Sequence, residues 1–177
     1  MNIILEQLSE RNFTDSSLDG FIRRQEVTEC WRRTENGLEL IPMVFTEDWD
    51  ENLLRTVAAR MLDNIRRGFI GVGAFDSGKL IGWTFFGNEL IGSRKNYIEL
   101  HMFHVSQPYR NHGIGRRLFE ASLPLVRKTG AERVFISSHS AKESQAAYRA
   151  FGCVPAQEFF PHAAEEEPFD IQLEYLL

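Results

Sequence analysis

The stretch Tyr97–Phe119 constrains the fold of this chain more than any other part of it. Tyr97–Val105 alternates at the two-residue period of a strand. Glu99, His101, Phe103 and Val105 are expected on one face, and Ile98, Leu100, Met102 and His104 on the other. A short turn carrying Pro108 follows, and glycines at 113 and 115 open an amphipathic helix, Gly113–Lys128, with Leu118, Phe119, Leu123 and Val126 inward. A helix entered this way presents several unpaired backbone N–H groups and the positive end of its dipole. The glycines let a phosphate approach the backbone, so the segment reads as an anion site. Arg110, Arg116 and Arg117 add positive charge. A P-loop would need Lys-Ser/Thr after its last glycine, and Arg116-Arg117 stands there instead. A dinucleotide fingerprint would need a third glycine where Leu118 stands, and it belongs to the first strand–helix turn. A structural alternative stays open on spacing alone: Gly113 and Gly115 merely allow a tight strand-to-helix turn.

The remaining pattern reads as alternating strands and helices. Asn2–Leu8 is expected as a strand and Ser16–Trp31 as a helix capped by Asp15, interrupted because Val27, Thr28 and Cys30 favour helix weakly. Arg32–Asp48, with Gly37 and Pro42, is expected to be an irregular connection. Thr46 or Asp48 would cap a helix Trp49–Arg67, closed by Gly68. Phe69–Phe75 and Leu80–Phe86 flank an Asp76-Ser77-Gly78-Lys79 turn and predict an antiparallel hairpin. Arg133–Ser137 is expected as a strand, Ala141–Phe151 as a helix, and Cys153–Phe160 and Phe169–Leu176 as two last strands. The latter pair flanks a polar loop, Pro161–Pro168, with Glu165-Glu166-Glu167 as its solvated tip. The order predicts an α/β (α+β) fold, a mixed, mostly antiparallel sheet of about seven strands flanked by helices.

The chain has 177 residues, 43% hydrophobic, with 14 Phe and 3 Trp, which is enough to fill the core of one domain over 1–177. A net charge of −5 argues against a broad nucleic-acid footprint. The N-terminus turns polar too soon for a signal peptide, and no apolar run approaches the roughly 18–20 residues of a membrane helix. A cytoplasmic protein with no membrane partner is therefore expected. Cys30 and Cys153 are expected as buried free thiols.

Arg110-Asn111-His112-Gly113-Ile114-Gly115 resembles the Arg/Gln-x-x-Gly-x-Gly/Ala pyrophosphate loop of the GNAT superfamily of CoA-dependent N-acetyltransferases. About 35 residues later, Ala147-Tyr148-Arg149-Ala150-Phe151-Gly152-Cys153 resembles the family's Tyr-x-x-x-Gly-Phe signature. The element order is similar to the family fold over nearly the whole chain. Two departures stand out. The asparagine often found at the start of the tyrosine-bearing helix is replaced around Ser140-Ala141, which bears on a side-chain contact to CoA. Cys153 replaces the usual Phe, a change of packing.

The resemblance implies acetyl-CoA as co-substrate, no metal, and direct transfer to an amine without a covalent enzyme intermediate. Arg110, Asn111, His112, Gly113, Ile114 and Gly115 would hold the pyrophosphate, with Arg116 reaching a phosphate. The sheet would splay between Tyr97–Val105 and Arg133–Ser137. The pantetheine arm would pair with Phe103, His104 and Val105, and an N–H near Phe103 or His104 would meet the acetyl oxygen. Glu99 would be the base, with His101 second to it, and Tyr148 would contact the cofactor and give the thiolate its proton. His104 is expected to be a packed residue. Phe45-Thr46-Glu47-Asp48-Trp49 suits a cationic acceptor or simply starts a helix, whereas Arg23, Arg24, Arg32 and Arg33 suit an acidic one or a solvated face. The acceptor is expected to be a small-molecule amine, and a homodimer would form through Phe169–Leu177. Two alternatives remain: a silent acyl-CoA-binding module, or a transferase of another acyl group.

Overall fold

The structure is a computed structural model and describes residues 2–177. In chain order, β1 is Ile3–Gln7, β2 Gln25–Thr34, β3 Gly37–Glu47, α1 Glu51–Arg66, β4 Ile70–Asp76, β5 Lys79–Ile91 and β6 Tyr97–Val105. A 3-10 turn at Gln107–Tyr109 leads into α2, Ile114–Arg127. Then come β7 Arg133–Ser138, α3 Lys142–Phe151, β8 Val154–Pro155, α4 Pro161–Glu166 and β9 Ile171–Leu176. Seven strands form one mixed sheet in the order β1-β4-β5-β6-β7-β9-β8, and β2 and β3 form a separate two-stranded ribbon. The expected sheet of about seven strands with helices against it is what the chain forms.

Two apolar layers sandwich the sheet. Leu54, Val57, Ala58 and Met61 of α1 bury against Trp83, Phe85 and Phe13 on one side. Phe119, Leu123 and Val126 of α2 bury against Phe86, Ile98 and Leu100 on the other, joined by Tyr148 and Phe151 of α3. The adjacent Phe85 and Phe86 serve opposite layers, as strand pleat dictates. Each such fully buried side chain contributes about 1.5–3 kcal/mol of transfer free energy.

Three elements differ from the sequence expectation. No helix covers Ser16–Trp31. Residues from Gln25 form a strand paired with β3, and Thr34 faces Gly37 across Glu35-Asn36. Val27, Thr28, Cys30 and Trp31 are β-formers, and Gly37 (φ +111°) supplies the turn, so the expected irregular connection is the second strand of a hairpin. Helix α1 is capped by Asp50, whose Oδ1 accepts from Leu53 N at 2.8 Å, rather than by Thr46 or Asp48. Near the C-terminus, the expected strand Cys153–Phe160 shortens to Val154–Pro155, and the expected polar loop contains α4, started by Pro161.

Strand β6 carries the feature that governs the site. Against β5 its register jumps from Phe85↔Met102 to Phe86↔Leu100, which leaves His101 as the extra residue of a bulge. The bulge changes the phase of the alternation, so the expected common face of Glu99, His101, Phe103 and Val105 does not exist. Ile98 and Leu100 pack toward α2, and so do Phe103 and Val105. Met102 joins the α1 layer, His101 stacks on Phe69 of that layer, and Glu99 lies opposite Ile98 and Leu100 on the same side. On its other edge β6 runs parallel to β7, but only through Tyr97↔Arg133, Ile98↔Val134 and Glu99↔Phe135. Beyond Glu99 the strands part.

Replacing Asp50 by Ala is expected to cost about 1 kcal/mol of stability, and Asp50→Ser to recover most of it. Urea midpoints of the three proteins measure the difference.

Candidate active site

The fork between β6 and β7 opens a cleft of about 1350 Å³. It is lined by β6 from Glu99 to Val105, the loop residues Tyr109–Asn111 and Gly113–Gly115, Ser137 and His139 at the end of β7, Tyr148 of α3, and the start of the ribbon. Since pairing ends at Glu99, the β7-facing backbone groups of Leu100–Val105 are left without a strand partner. Buried backbone groups demand partners, so this edge is built to receive one.

At the end of β6 the chain is pinned before it turns. Ser106 N donates to Ile81 O at 2.8 Å, and Ile22 N donates to Ser106 Oγ at 3.1 Å. Arg110 folds back: its Nε donates to Val105 O at 2.9 Å and its Nη1 to Arg24 O at 2.7 Å. Its guanidinium therefore staples the strand end to the ribbon, while its charge stays beside the loop. Burial and the neighbouring Arg23 pull its pKa down from the usual arginine range.

Asn111 (φ +64°) and Gly113 (φ +74°) then turn the chain through the left-handed region, and Arg117 N donates the first helical bond, to Gly113 O. Among the described residues, the amides of 111–116 have no protein acceptor. Gly113 owes its identity to φ, since a Cβ there would meet open space. Gly115 owes its identity to contact: a Cβ would sit 3.2 Å from Phe103 Cζ. The arrangement can hold an anion on backbone donors at the positive end of α2. His112 and Arg116 stand outside the cleft lining. The His112 ring Nδ1 is 2.7 Å from Arg110 O, and Arg116 donates to Ala150 O at 2.6 Å with its guanidinium over Phe151.

Tyr148 lies edge-on to Phe103 and Phe151, at ring distances of 6.1 and 6.2 Å, and reaches the cleft. No hydrogen bond within the protein holds its hydroxyl among the described residues. Burial raises its pKa well above the usual phenol value, helped by Cys153 and Asp170. The phenol is thus a proton carrier throughout the neutral range. Burial pushes the Cys153 thiol up to about 12, so it is no nucleophile at neutral pH. Both cysteines are buried and free, as expected.

On the α1 side of the fork, Glu99 sits between two imidazoles. His162 Nε2 is 3.6 Å and His101 Nε2 is 3.9 Å from its Oε2. His104 is wedged between Trp49 and Trp83, at 4.9 and 5.2 Å, the packed position expected of it. Burial, with Arg23 and Arg110 nearby, lowers its pKa to about 3, which keeps it neutral.

A second polar group in the same cleft joins Glu47 and Arg23, both singled out in the sequence, to His139, which sequence reasoning missed along with Asp170. Glu47 accepts from Arg23 Nη2 at 2.8 Å and from His139 Nε2 at 3.1 Å. His139 Nδ1 accepts from Ala141 N at 3.1 Å, which puts the ring proton on Nε2 and fixes the turn that leads into α3. Glu47 draws the His139 pKa upward, though protonating Nδ1 would forfeit the bond from Ala141 N. His139, foremost, and Arg23 lower Glu47 to about 2. Asp170, just before β9, accepts from Ser137 Oγ at 3.2 Å, and burial raises it to about 6. Arg23 also lies 5.5 Å from the Trp49 ring centre. The acidic and basic stretches that pointed to opposite acceptors thus partly neutralise each other. Nothing in the spacing of His139 or Asp170 marks them, because each precedes an ordinary element and only the fold makes them neighbours.

A depressed carboxylate adds stability above its unfolded pKa and loses it as pH falls through the folded value. Glu47→Gln is therefore expected to cost on the order of 1–2 kcal/mol at pH 7. Relative to the unmodified protein, that difference should shrink between pH 4.5 and about 2. Denaturant midpoints over this range test it.

No helix among the described residues is long and apolar enough to cross a membrane. No curated protein matches the chain. Solved structures do. A nourseothricin acetyltransferase superposes with a TM-score of 0.71 at 14% identity, covering 99% of each chain. A putative streptothricin acetyltransferase from Bacillus anthracis str. Ames, in complex with acetyl coenzyme A, gives 0.69 at 13%, covering 100% of this chain and 98% of that one. The PaiA N-acetyltransferase of Thermoplasma acidophilum, in complex with coenzyme A, gives 0.64 at 17% over 100% of both. At these identities the likeness speaks for the fold. The family model described as Acetyltransferase (GNAT) family matches residues 26–153, well over half of the chain, and the protein belongs to the GNAT acetyltransferases.

Proposed function

We propose that this chain, acting as one domain, transfers the acetyl group of acetyl-CoA directly to a primary amine of a small molecule. The observation that carries the reading is the forked sheet edge, which joins the unbonded amides of residues 111–116 to a cleft holding both Tyr148 and Glu99. Neighbouring structures in complex with acetyl coenzyme A or coenzyme A support the choice of co-substrate.

In this reading the loop amides from Asn111 to Gly115 bind the pyrophosphate. Arg110 shapes the loop and supplies field, Arg116 contributes charge from its rim, and His112 stands beside it. The free edge Phe103–Val105 pairs with the pantetheine arm, and an N–H near Phe103 or His104 meets the charge that develops on the acetyl oxygen. Acetyl-CoA supplies the activated acyl group. The chain's part is orientation and proton traffic. An alkylamine arrives as ammonium at neutral pH, and Glu99 removes its proton so that the nitrogen lone pair is free. His101 and His162 flank that carboxylate and can pass the proton outward. Tyr148, held protonated by burial, donates to the departing sulfur. The carboxylates Glu47, Glu99 and Asp170 and the Trp49 ring line the acceptor side and suit a cationic substrate.

A panel of primary amines with acetyl-CoA, read by thiol release, is the direct test. At least one amine should raise release far above hydrolysis. CoA binding with no transfer to any amine would leave the silent binding module as the better reading. For the fastest amine, Tyr148→Phe should lower kcat about 100-fold with unchanged CoA affinity. Gly113→Asp should weaken CoA binding at least about 10-fold by calorimetry, since it sets a carboxylate against the phosphates. Unchanged affinity would refute the loop assignment.

A further inference from the structure

The proposed reaction has a proton problem that Glu99 and Tyr148 leave half solved. An ammonium must lose two protons to become an amide nitrogen, one before attack and one as the C–N bond forms. Glu99 accounts for the first. The sulfur needs one proton, and Tyr148 must recover what it gives. A second acceptor close to the fork would close the cycle.

Asp170 has the required position. Phe135 packs with Phe160, just before α4, and with Ala163 inside it, so the alternation of β7 turns Ser137 to that same side, where the acceptor would enter. The carboxylate of Asp170 takes the Ser137 hydroxyl at 3.2 Å, its one hydrogen bond among the described residues. Tyr148 belongs to the opposite layer, with Phe119 and Phe151. The two residues therefore approach the fork from opposite faces of the sheet, and both line the cleft that passes through it. The charge of Asp170 also raises the Tyr148 pKa, after burial and Cys153.

We propose that Asp170 takes the second proton from the attacking nitrogen and later returns it to Tyr148. This rests on the acetyl-transfer reading above. The balance is complete without another reactant. Glu99 takes one proton from R–NH3+ and releases it to water. As the C–N bond forms, the nitrogen gives a second proton to Asp170. The C–S bond breaks, the electron pair goes to sulfur, and the Tyr148 hydroxyl protonates it. Asp170 then reprotonates the tyrosinate. One amide, one thiol and one released proton result.

The surroundings of Asp170 fit an acceptor that works near neutrality. Its pKa stands at about 6, raised chiefly by burial. The groups facing it are Ser137 of β7, His139 of the β7–α3 turn, Glu167 after α4, and Glu47 of β3. Ser137 and His139 lower its pKa and the two glutamates raise it. It is ionised above pH 6 and basic enough to hold a proton in passing, which a solvated aspartate does poorly.

The experiment compares the unmodified protein with Asp170→Asn and Asp170→Glu, using acetyl-CoA and the fastest amine of the panel. Asp170→Asn should lower kcat about 100-fold, leave the calorimetric affinity for CoA unchanged, and remove an acidic limb near pH 6 from the kcat profile. Asp170→Glu should recover at least 10-fold of that loss. An Asn variant within twofold of the unmodified kcat, or one that keeps the limb, overturns the proposal. A second measurement needs no acceptor: the Asp170 carboxyl carbon, followed by NMR through its pH titration, should show a midpoint near 6. A midpoint in the ordinary aspartate range, about 4, also overturns it. If no amine is acetylated although CoA binds, the functional reading has failed, and the NMR midpoint alone decides whether Asp170 is poised as described.

Discussion

Two neighbouring parallel strands pair over three residues and then diverge, and the rest of the molecule is arranged around that divergence. Pairing between β6 and β7 ends at Glu99↔Phe135. A strand edge abandoned inside a protein is costly unless something else takes its hydrogen bonds. Here the opening is held by packing and pinning together. Gly115 lets α2 settle on Phe103, and Phe119 stacks on Phe151 to bring α3 against the same layer. Arg110 and Ser106 fix the strand end to the segment that begins the ribbon. Meanwhile β7 satisfies its other edge against β9 over its full length, so it can leave β6 without fraying.

The bulge at His101 decides which chemistry meets the opening from which side. Without it, Glu99 and Phe103 would share a face, and either the carboxylate would enter the α2 layer or the phenylalanine would leave it. One extra residue turns Glu99, His101 and His104 toward α1 while Phe103 and Val105 stay under α2. The polar groups collect on one side and the apolar support of the helix on the other.

Much of this was legible in the chain. The glycine loop, the strand before it and the helix after it are encoded locally, as a period, a turn and a cap, and Tyr148 could be placed from a short signature. What escaped was non-local. A bulge leaves no mark on alternation, because a phase change in one strand is defined only by its partner. Gln25–Thr34 mixed apolar and charged residues in a way that suited either period, and its pairing with Gly37–Glu47 decided the matter. His139 and Asp170 carry no motif. Their proximity comes from β7 and β9 lying side by side, with Ser138 opposite Ile171.

The ribbon of β2 and β3 has no strand partner in the main sheet. It touches the rest through a bridge, Cys30 to Ala141, the Trp31 N–H on Ser140 O, and side-chain links from Glu29, Trp31 and Arg32 of β2 as well as Glu47 at its base. Its tip, Glu35–Leu38, lies in solvent. Evolution can therefore lengthen, shorten or recolour this arm without disturbing the register of a single strand beneath it. The arm also brings Glu47 to the ring that holds the turn leading into the helix bearing Tyr148. A lineage that redraws the arm for a new substrate retunes, in the same stroke, the seating of the tyrosine.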